Sequence, residues 1–235
     1  YRSFSKAMRW RGSKGWMTQA APAFRRLEAR PLPPHRIYRA TLRNLRPGAT
    51  VPYRVTRNGE VVFEAEAQTR KPGAHRMVVF GDAADGSKEQ AAIAKAVAAV
   101  QPDAVFITGD LVYGRGRAAE YRARFFPVYN GEAVPLMRRV PFLGVVGNHD
   151  VPFPGFADAS AYFAYWSQPL NGPALRPGEK NAAPVKAGEH DAIVAASGPA
   201  FPRMASFSFD YGRVHWTVLD SNGYADWDSP QLKAW

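Results

Sequence analysis

Three short apolar runs, Met77 to Phe80 (MVVF), Ala104 to Thr108 (AVFIT) and Phe142 to Val146 (FLGVV), each stop at a glycine. That glycine is followed by a side chain with a metal-capable oxygen: Asp82, Asp110 and Asn148. Runs this short with no polar face suit strands buried on both sides. Between them, the Ala-rich segment Lys88 to Val100 carries Ile93, Val97 and Val100 at helical spacing and is stopped by Pro102. A second helix is predicted over Ala118 to Phe126, before Pro127. Strand, helix, strand, helix, strand with apolar strands predicts a parallel α/β sheet covered on both faces. Ligands of open α/β sheets bind outside the carboxyl ends of the strands, so the three oxygen side chains are expected to converge on one edge. A single Gly-Asp pair commonly just makes a turn. Three such exits after three strands, two to Asp and one to Asn, are much harder to explain that way.

The first third of the chain has another rhythm. His35 to Leu42, Val51 to Thr56 and Val61 to Ala67 read as strands, separated by the turn cluster Asn44 to Gly48 and by Asn58-Gly59. Strands at about ten-residue spacing with an Asn-Gly hairpin predict an antiparallel sandwich. The region Tyr1 to Arg30, with Trp10 and Trp16 among basic residues, is expected to add one or two earlier strands. Charge marks the same division. Tyr1 to Arg76 holds seventeen basic and four acidic residues, net +13, and Met77 to Trp235 holds fourteen and sixteen, net −2, which together make the +11 of the whole chain. A boundary is expected near Lys71-Pro72-Gly73.

With 235 residues and 46% hydrophobic content the chain is a folded one with a real core. It has no cysteine, which excludes a disulfide scaffold, a zinc finger and thiol catalysis and leaves the compartment open. No stretch approaches eighteen uninterrupted apolar residues, so no membrane span is predicted. The chain begins at Tyr1 and shows no basic-then-apolar signal region.

GDAADGS at Gly81 to Ser87, GDLVYGRG at Gly109 to Gly116 and GNHD at Gly147 to Asp150 resemble the ordered motifs of the metallophosphoesterase superfamily. Within it they resemble the purple acid phosphatase branch, whose N-terminal fibronectin-type or immunoglobulin-like sandwich His35 to Val55 is similar to. Ser206 to Asn222 (SFSFDYGRVHWTVLDSN) is similar to the family's paired strands after the third motif. The Pro/Ala/Gly-rich stretch from about Pro169 to Pro202 has no counterpart in the resemblance. The implied architecture is a partial N-terminal β-sandwich over residues 1–72, then a four-layer α/β sandwich of calcineurin-like type over residues 75–235, lacking its C-terminal part.

The resemblance implies a dinuclear hydrolase that cleaves phosphate monoesters with a metal-activated hydroxide, as acid phosphatases do. Many relatives begin with Asp-x-His; here Ala83 and Ala84 follow Asp82, and Tyr113 can supply a phenolate in place of that His. A phenolate suits Fe(III), so the implied cofactors are Fe(III) plus divalent Fe, Zn or Mn. Asp82 and Tyr113 would bind the first metal, Asp110 would bridge both, and Asn148 would bind the second and help to hold substrate. His149 would serve the leaving group or the phosphoryl oxygens, with Asp150 orienting its imidazole. The resemblance also implies a secreted or periplasmic location.

The family's later His loop and its Gly-His-x-His element do not appear in this chain. The other histidines are His35, His75, His190 and His215, the last on a strand face. The expectation is therefore a fragment whose metal centre is incomplete. Two other readings stay open: a phosphodiesterase or nucleotide hydrolase on the same core, and a non-catalytic metal- or anion-binding module. Tyr162, Phe163, Tyr165 and Trp166 read as helix packing, not as a base-stacking platform, and Arg115 and Arg117 read as solvent-exposed. The basic N-terminal third is consistent with contact to an anionic surface or with an Arg-rich composition that has no specific partner. Nucleic acid is not favoured.

Overall fold

The structure is a computed structural model that describes residues 6–28, 31–151, 161–173, 190–201 and 203–235. It is a mixed α/β fold. Strands β1 (Lys6–Gly12), β2 (Gly15–Ala20), β5 (Thr50–Arg57) and β6 (Glu60–Gln68) form an antiparallel sheet in the order β2-β1-β5-β6. Strands β3 (Ala23–Leu27) and β4 (His35–Arg39) form a separate antiparallel pair. The expected hairpin is present: Asn58 and Gly59 both have positive φ, 53° and 86°, which the twist of a two-residue β-hairpin demands. The opening region contributes three strands instead of one or two. Its Trp10 is 4% exposed and donates its indole N–H to the Arg43 carbonyl at 3.0 Å, which ties β1 to the turn cluster.

The second part follows the predicted alternation. Strands β7 (Met77–Phe80), β8 (Ala104–Ile107) and β9 (Phe142–Gly144) are parallel, in that order, with Met77 opposite Ala104 and Val105 opposite Phe142. Central β8 is buried at every position, as its unbroken apolar sequence requires. Edge strand β7 is only half-buried, and Val79 is 47% exposed. One face packs on helical segments through Phe80 and Phe142 against Tyr129, with ring centroids 6.2 and 6.0 Å apart. The other face meets a hairpin, β10 (Phe207–Tyr211) and β11 (Val214–Val218), the paired strands expected there. Phe106 packs edge-on against Phe209 and Trp216 at 6.3 and 5.8 Å. Sheet on one side and helices on the other give the layered core.

Helix α1 (Lys88–Ala99) starts where Ser87 accepts the Gln90 N–H at 3.1 Å, an N-cap. Its buried face is Gln90, Ala94 and Val97, whereas Ile93 is 50% and Val100 45% exposed. The spacing had pointed to the stripe Ile93, Val97 and Val100. The difference arises at Gln90, whose amide accepts the Gly86 N–H and donates to the Arg124 carbonyl, both at 2.8 Å, and so turns a polar residue inward. The next helical segment runs over 118–129 and passes through Pro127, where the sequence predicts a stop. A π-helical turn at Tyr121–Phe125 precedes the proline and rearranges the hydrogen-bond ladder there. The aromatic cluster is helix packing, as read from sequence: Tyr162 and Phe163 are fully buried on Ala161–Tyr165. Short helices at Leu136–Arg139 and His190–Ser197 had no sequence signal. Among the described residues no helix is long and apolar enough to cross a membrane.

Several arginines of the basic third face the rest of the molecule. Arg39 donates to the carbonyls of Trp166 at 2.7 Å and Ala164 at 3.3 Å, at the end of helix Ala161–Tyr165. Arg25 donates to the Ser197 carbonyl at the end of His190–Ser197, and Arg76 to that of Val100 at the end of α1. Cations at the last carbonyls of helices are favourable partners for the helix dipole. Arg39→Met keeps the apolar stem and removes both bonds. We expect a loss of about 1 kcal/mol of stability, measured by urea denaturation.

Candidate metal centre and active site

Past the ends of β7, β8 and β9 the chain turns sharply, and the turns share one cleft of about 330 Å³. It is lined by Asp82, Asp110 and Asn148 with their preceding glycines, and by Ser221, Asn222 and Gly223 from the loop after β11. Asp82 and Asp110 both adopt left-handed backbone, with φ of 53° and 50°. Aspartate tolerates that region better than most residues, and such conformations cluster at functional sites. Gly147 admits no side chain, because a Cβ would overlap the Asp110 carboxylate and backbone nitrogen. Gly109 has a φ of 126° and would bring a Cβ to 3.1 Å from the Gly147 Cα. The second and third motifs therefore meet backbone to backbone.

The loops are cross-tied. The Ala83 N–H donates to the Asp110 carbonyl at 2.8 Å and the Tyr113 N–H to the Ala84 carbonyl at 2.8 Å, which joins the first motif to the second. Ala84, at the place of the absent His, is fully buried. Tyr129, which carried no motif signal, donates its hydroxyl to the Ala83 carbonyl at 2.6 Å and supports this loop from below. The Tyr113 hydroxyl donates to Asp82 Oδ1. That bond, with burial and the charge of Asp110, holds the phenol protonated well above its ordinary range. The Asp110 carboxylate also accepts the His149 N–H at 2.9 Å.

Asp150 is fully buried, but its carboxylate does not meet the His149 imidazole, the contact expected from sequence. It accepts three backbone N–H groups instead: Leu111 at 2.9 Å, Val112 at 3.2 Å and Gly147 at 2.9 Å. Burial pushes its carboxyl up to about 7, opposed by those three bonds. The His149 ring lies against Tyr113, centroids 4.6 Å apart, with Nδ1 3.3 Å from the Gly114 carbonyl. A carbonyl only accepts, so that contact assigns the proton to Nδ1 and leaves Nε2 available. The backbone N–H groups of Arg115 and Arg117 donate to Glu120 at 3.0 and 2.8 Å.

Asp82, Tyr113, Asp110, Asn148 and His149 are thus brought together, while the other described histidine side chains have partners elsewhere. His35 meets the Tyr165 hydroxyl at 3.0 Å, His75 the Lys71 carbonyl at 2.8 Å and His215 the exposed Asp210 at 2.8 Å. The side chain of His190 and the segment 152–160 lie outside the described residues. Among the described residues no three His, Cys, Asp or Glu side chains cluster as a ready metal cage. The three motifs supply two carboxylates, an amide and a phenol, an all-oxygen set that fits a hard cation. Sequence reasoning missed Ser221, Asn222 and Gly223 as cleft residues, although the segment VLDSN was read as the end of a strand.

A family profile described as calcineurin-like phosphoesterase matches residues 75–233. A solved structure titled "Structure of PhoD" is similar at 16% identity and a TM-score of 0.49, over 96% of this chain and 46% of that one. The chain thus spans about half the length of that structure. No curated protein matches. Asp150→Asn would turn an N–H donor toward backbone donors. We expect a loss of about 1–3 kcal/mol in stability, measured by denaturant melts of the metal-free protein.

Proposed function

The chain belongs to the calcineurin-like phosphoesterase family, and from that membership we propose that it carries the metal-binding half-site of a metal-dependent phosphate-ester hydrolase. The observation that carries the reading is the convergence of Asp82, Asp110 and Asn148 on one cleft at the carboxyl ends of three parallel strands. Asp82, Tyr113 and Asp110 are the donors for one cation, and Asp110 and Asn148 for a second. When bound, such cations lower the pKa of a water and neutralise charge on phosphoryl oxygens.

The chain's own groups do the rest. Asp110 is held by the His149 N–H, so its carboxylate keeps one orientation as ligands exchange. With Nδ1–H on the Gly114 carbonyl, His149 would act as the imidazolium, whose second proton on Nε2 can be donated to the leaving oxygen or hydrogen-bonded to phosphoryl oxygens. Asp150 acts at one remove by holding the loops that carry Asp110 and Asn148.

Within the family, the meeting of the Tyr113 and Asp82 oxygens supports the purple acid phosphatase branch, in which Fe(III) would take the place of the proton they share, with a divalent Fe, Zn or Mn beside it. Monoesters are the proposed substrates, and diesters or nucleotides the second reading. Residues 1–72 are proposed as the fibronectin-like accessory domain and residues 75–235 as the catalytic one. The end of β6 at Gln68 and the charge change near Pro72 support that boundary. Secretion or a periplasmic location is proposed on the same resemblance.

The test is turnover of 4-nitrophenyl phosphate and its bis ester by metal-loaded protein. We expect only weak metal-dependent release of nitrophenol from these residues, faster on the monoester and lost in Asp110→Ala, whereas robust turnover lost in Asp110→Ala would show the metal centre to be complete without the family's later histidines. No metal-dependent turnover of either ester would overturn the reading. Iron-loaded protein should also show a visible absorption band that Tyr113→Phe abolishes. Active but colourless protein would point to two divalent ions and away from the branch.

A further inference from the structure

The loop after β11 brings a second carboxamide to the cleft. Asn222 lines the cavity with Asp82, Asp110 and Asn148, and its side chain is held from behind. Its amide Nδ2 donates to Asp220 Oδ1 at 2.7 Å and faces the Val146 carbonyl at 3.5 Å. Its backbone N–H donates to the same Asp220 oxygen at 3.0 Å. Asp220 is 6% exposed and is itself fixed: the Tyr224 hydroxyl donates to its Oδ2 at 2.6 Å, and its backbone N–H donates to the Ser206 hydroxyl at 3.0 Å. The amide cannot be reversed, because a flip would set its oxygen against a carboxylate oxygen and a carbonyl. The amide oxygen is therefore the one polar atom of the side chain without a partner among the described residues.

An amide oxygen only accepts, so its complement is a cation or an N–H or O–H donor. A phosphoryl oxygen is neither. The neighbouring cleft side chains include the carboxylates of Asp82 and Asp110, which favour positive charge at this point. A cleft-lining side chain whose amide N–H is tied to a buried carboxylate, leaving its oxygen without a donor, has the arrangement of a ligand with its supporting shell. We propose that Asn222 is a further oxygen donor to the cation held in this cleft, oriented by Asp220 and Tyr224. The inference rests on the metal-centre reading above and extends it to a loop that none of the three motifs includes.

Manganese(II) titrated into the whole chain and followed by calorimetry tests it without requiring turnover. Asn222→Leu removes the oxygen at similar volume, whereas Asn222→Asp keeps an oxygen in the cleft but sets its other oxygen against Asp220 and the Val146 carbonyl; both lose the side-chain hydrogen bond to Asp220. We expect Asn222→Leu to bind manganese about 10-fold or more weakly, and Asn222→Asp to be weakened clearly less despite the carboxylate it faces. Asn222→Ser, too short to reach, should behave like Asn222→Leu and replaces it if that variant does not fold. Equal weakening in Asn222→Leu and Asn222→Asp would show that the residue acts only through loop structure, which overturns the proposal. Wild-type affinity in Asn222→Leu beside impaired Asp110→Ala would overturn it and leave the metal centre standing. Failure of the wild type to bind manganese at all would overturn both.

Discussion

A buried carboxylate holds the cleft together. Asp150 accepts hydrogen bonds from Leu111 and Val112 on the second motif loop and from Gly147 on the third. The parallel strands β8 and β9 end just before these loops, with the Val145 N–H on the Ile107 carbonyl at 3.1 Å. Without a common acceptor, three backbone N–H groups would be left in the interior near the cleft, each at the cost of an unmade bond. The close approach of Gly109 to Gly147, and the placement of Asp110 beside Asn148, both follow from this clamp. The carboxylate is taken up by backbone N–H groups and fixes the loops on which its neighbours stand.

The positive charge of the chain takes on a structural meaning. Residues 77–235 are near neutral at net −2, so the excess of lysine and arginine does not lie in the part that carries the cleft. Arg25, Arg39 and Arg76 instead close the carbonyl ends of helices in the second part. Others lie along the outer face of the first sheet, where Arg9 and Arg54 are cross-strand neighbours and both stack on Trp16, at 5.6 and 4.9 Å. Like charges opposite one another in a sheet repel, and a shared aromatic face with the Arg54 to Glu64 ion pair offsets that. The Tyr53 hydroxyl donates to the Arg138 carbonyl at 3.1 Å, so contacts run in both directions between the two parts.

The strand periods, the Asn-Gly hairpin and the alternation of apolar runs with helices were legible because each depends on neighbours within ten or so residues. So was the convergence of Asp82, Asp110 and Asn148, since a parallel sheet puts all its carboxyl ends on one edge. What sequence could not supply were the partners reached across the fold. Gln90 faces inward because Gly86 and the Arg124 carbonyl await it, against the apolar spacing of its own helix. The helix over 118–129 passes Pro127 because a π turn absorbs the disruption.

The sequence by itself determined which oxygen-bearing side chains stand at which strand ends, because exits from apolar strands through glycine to aspartate or asparagine are a local pattern. Only the tertiary structure decided what holds them: Asp150 serves backbone N–H groups and not an imidazole, Tyr113 meets Asp82, Tyr129 supports the first loop, and Asn222 enters the cleft from the strand after the third motif. Each of these contacts joins residues whose separation in the chain hides them from one another, apart from the short reach within a motif. A buried polar atom must find a partner wherever the packing puts one, and packing is a property of the whole fold.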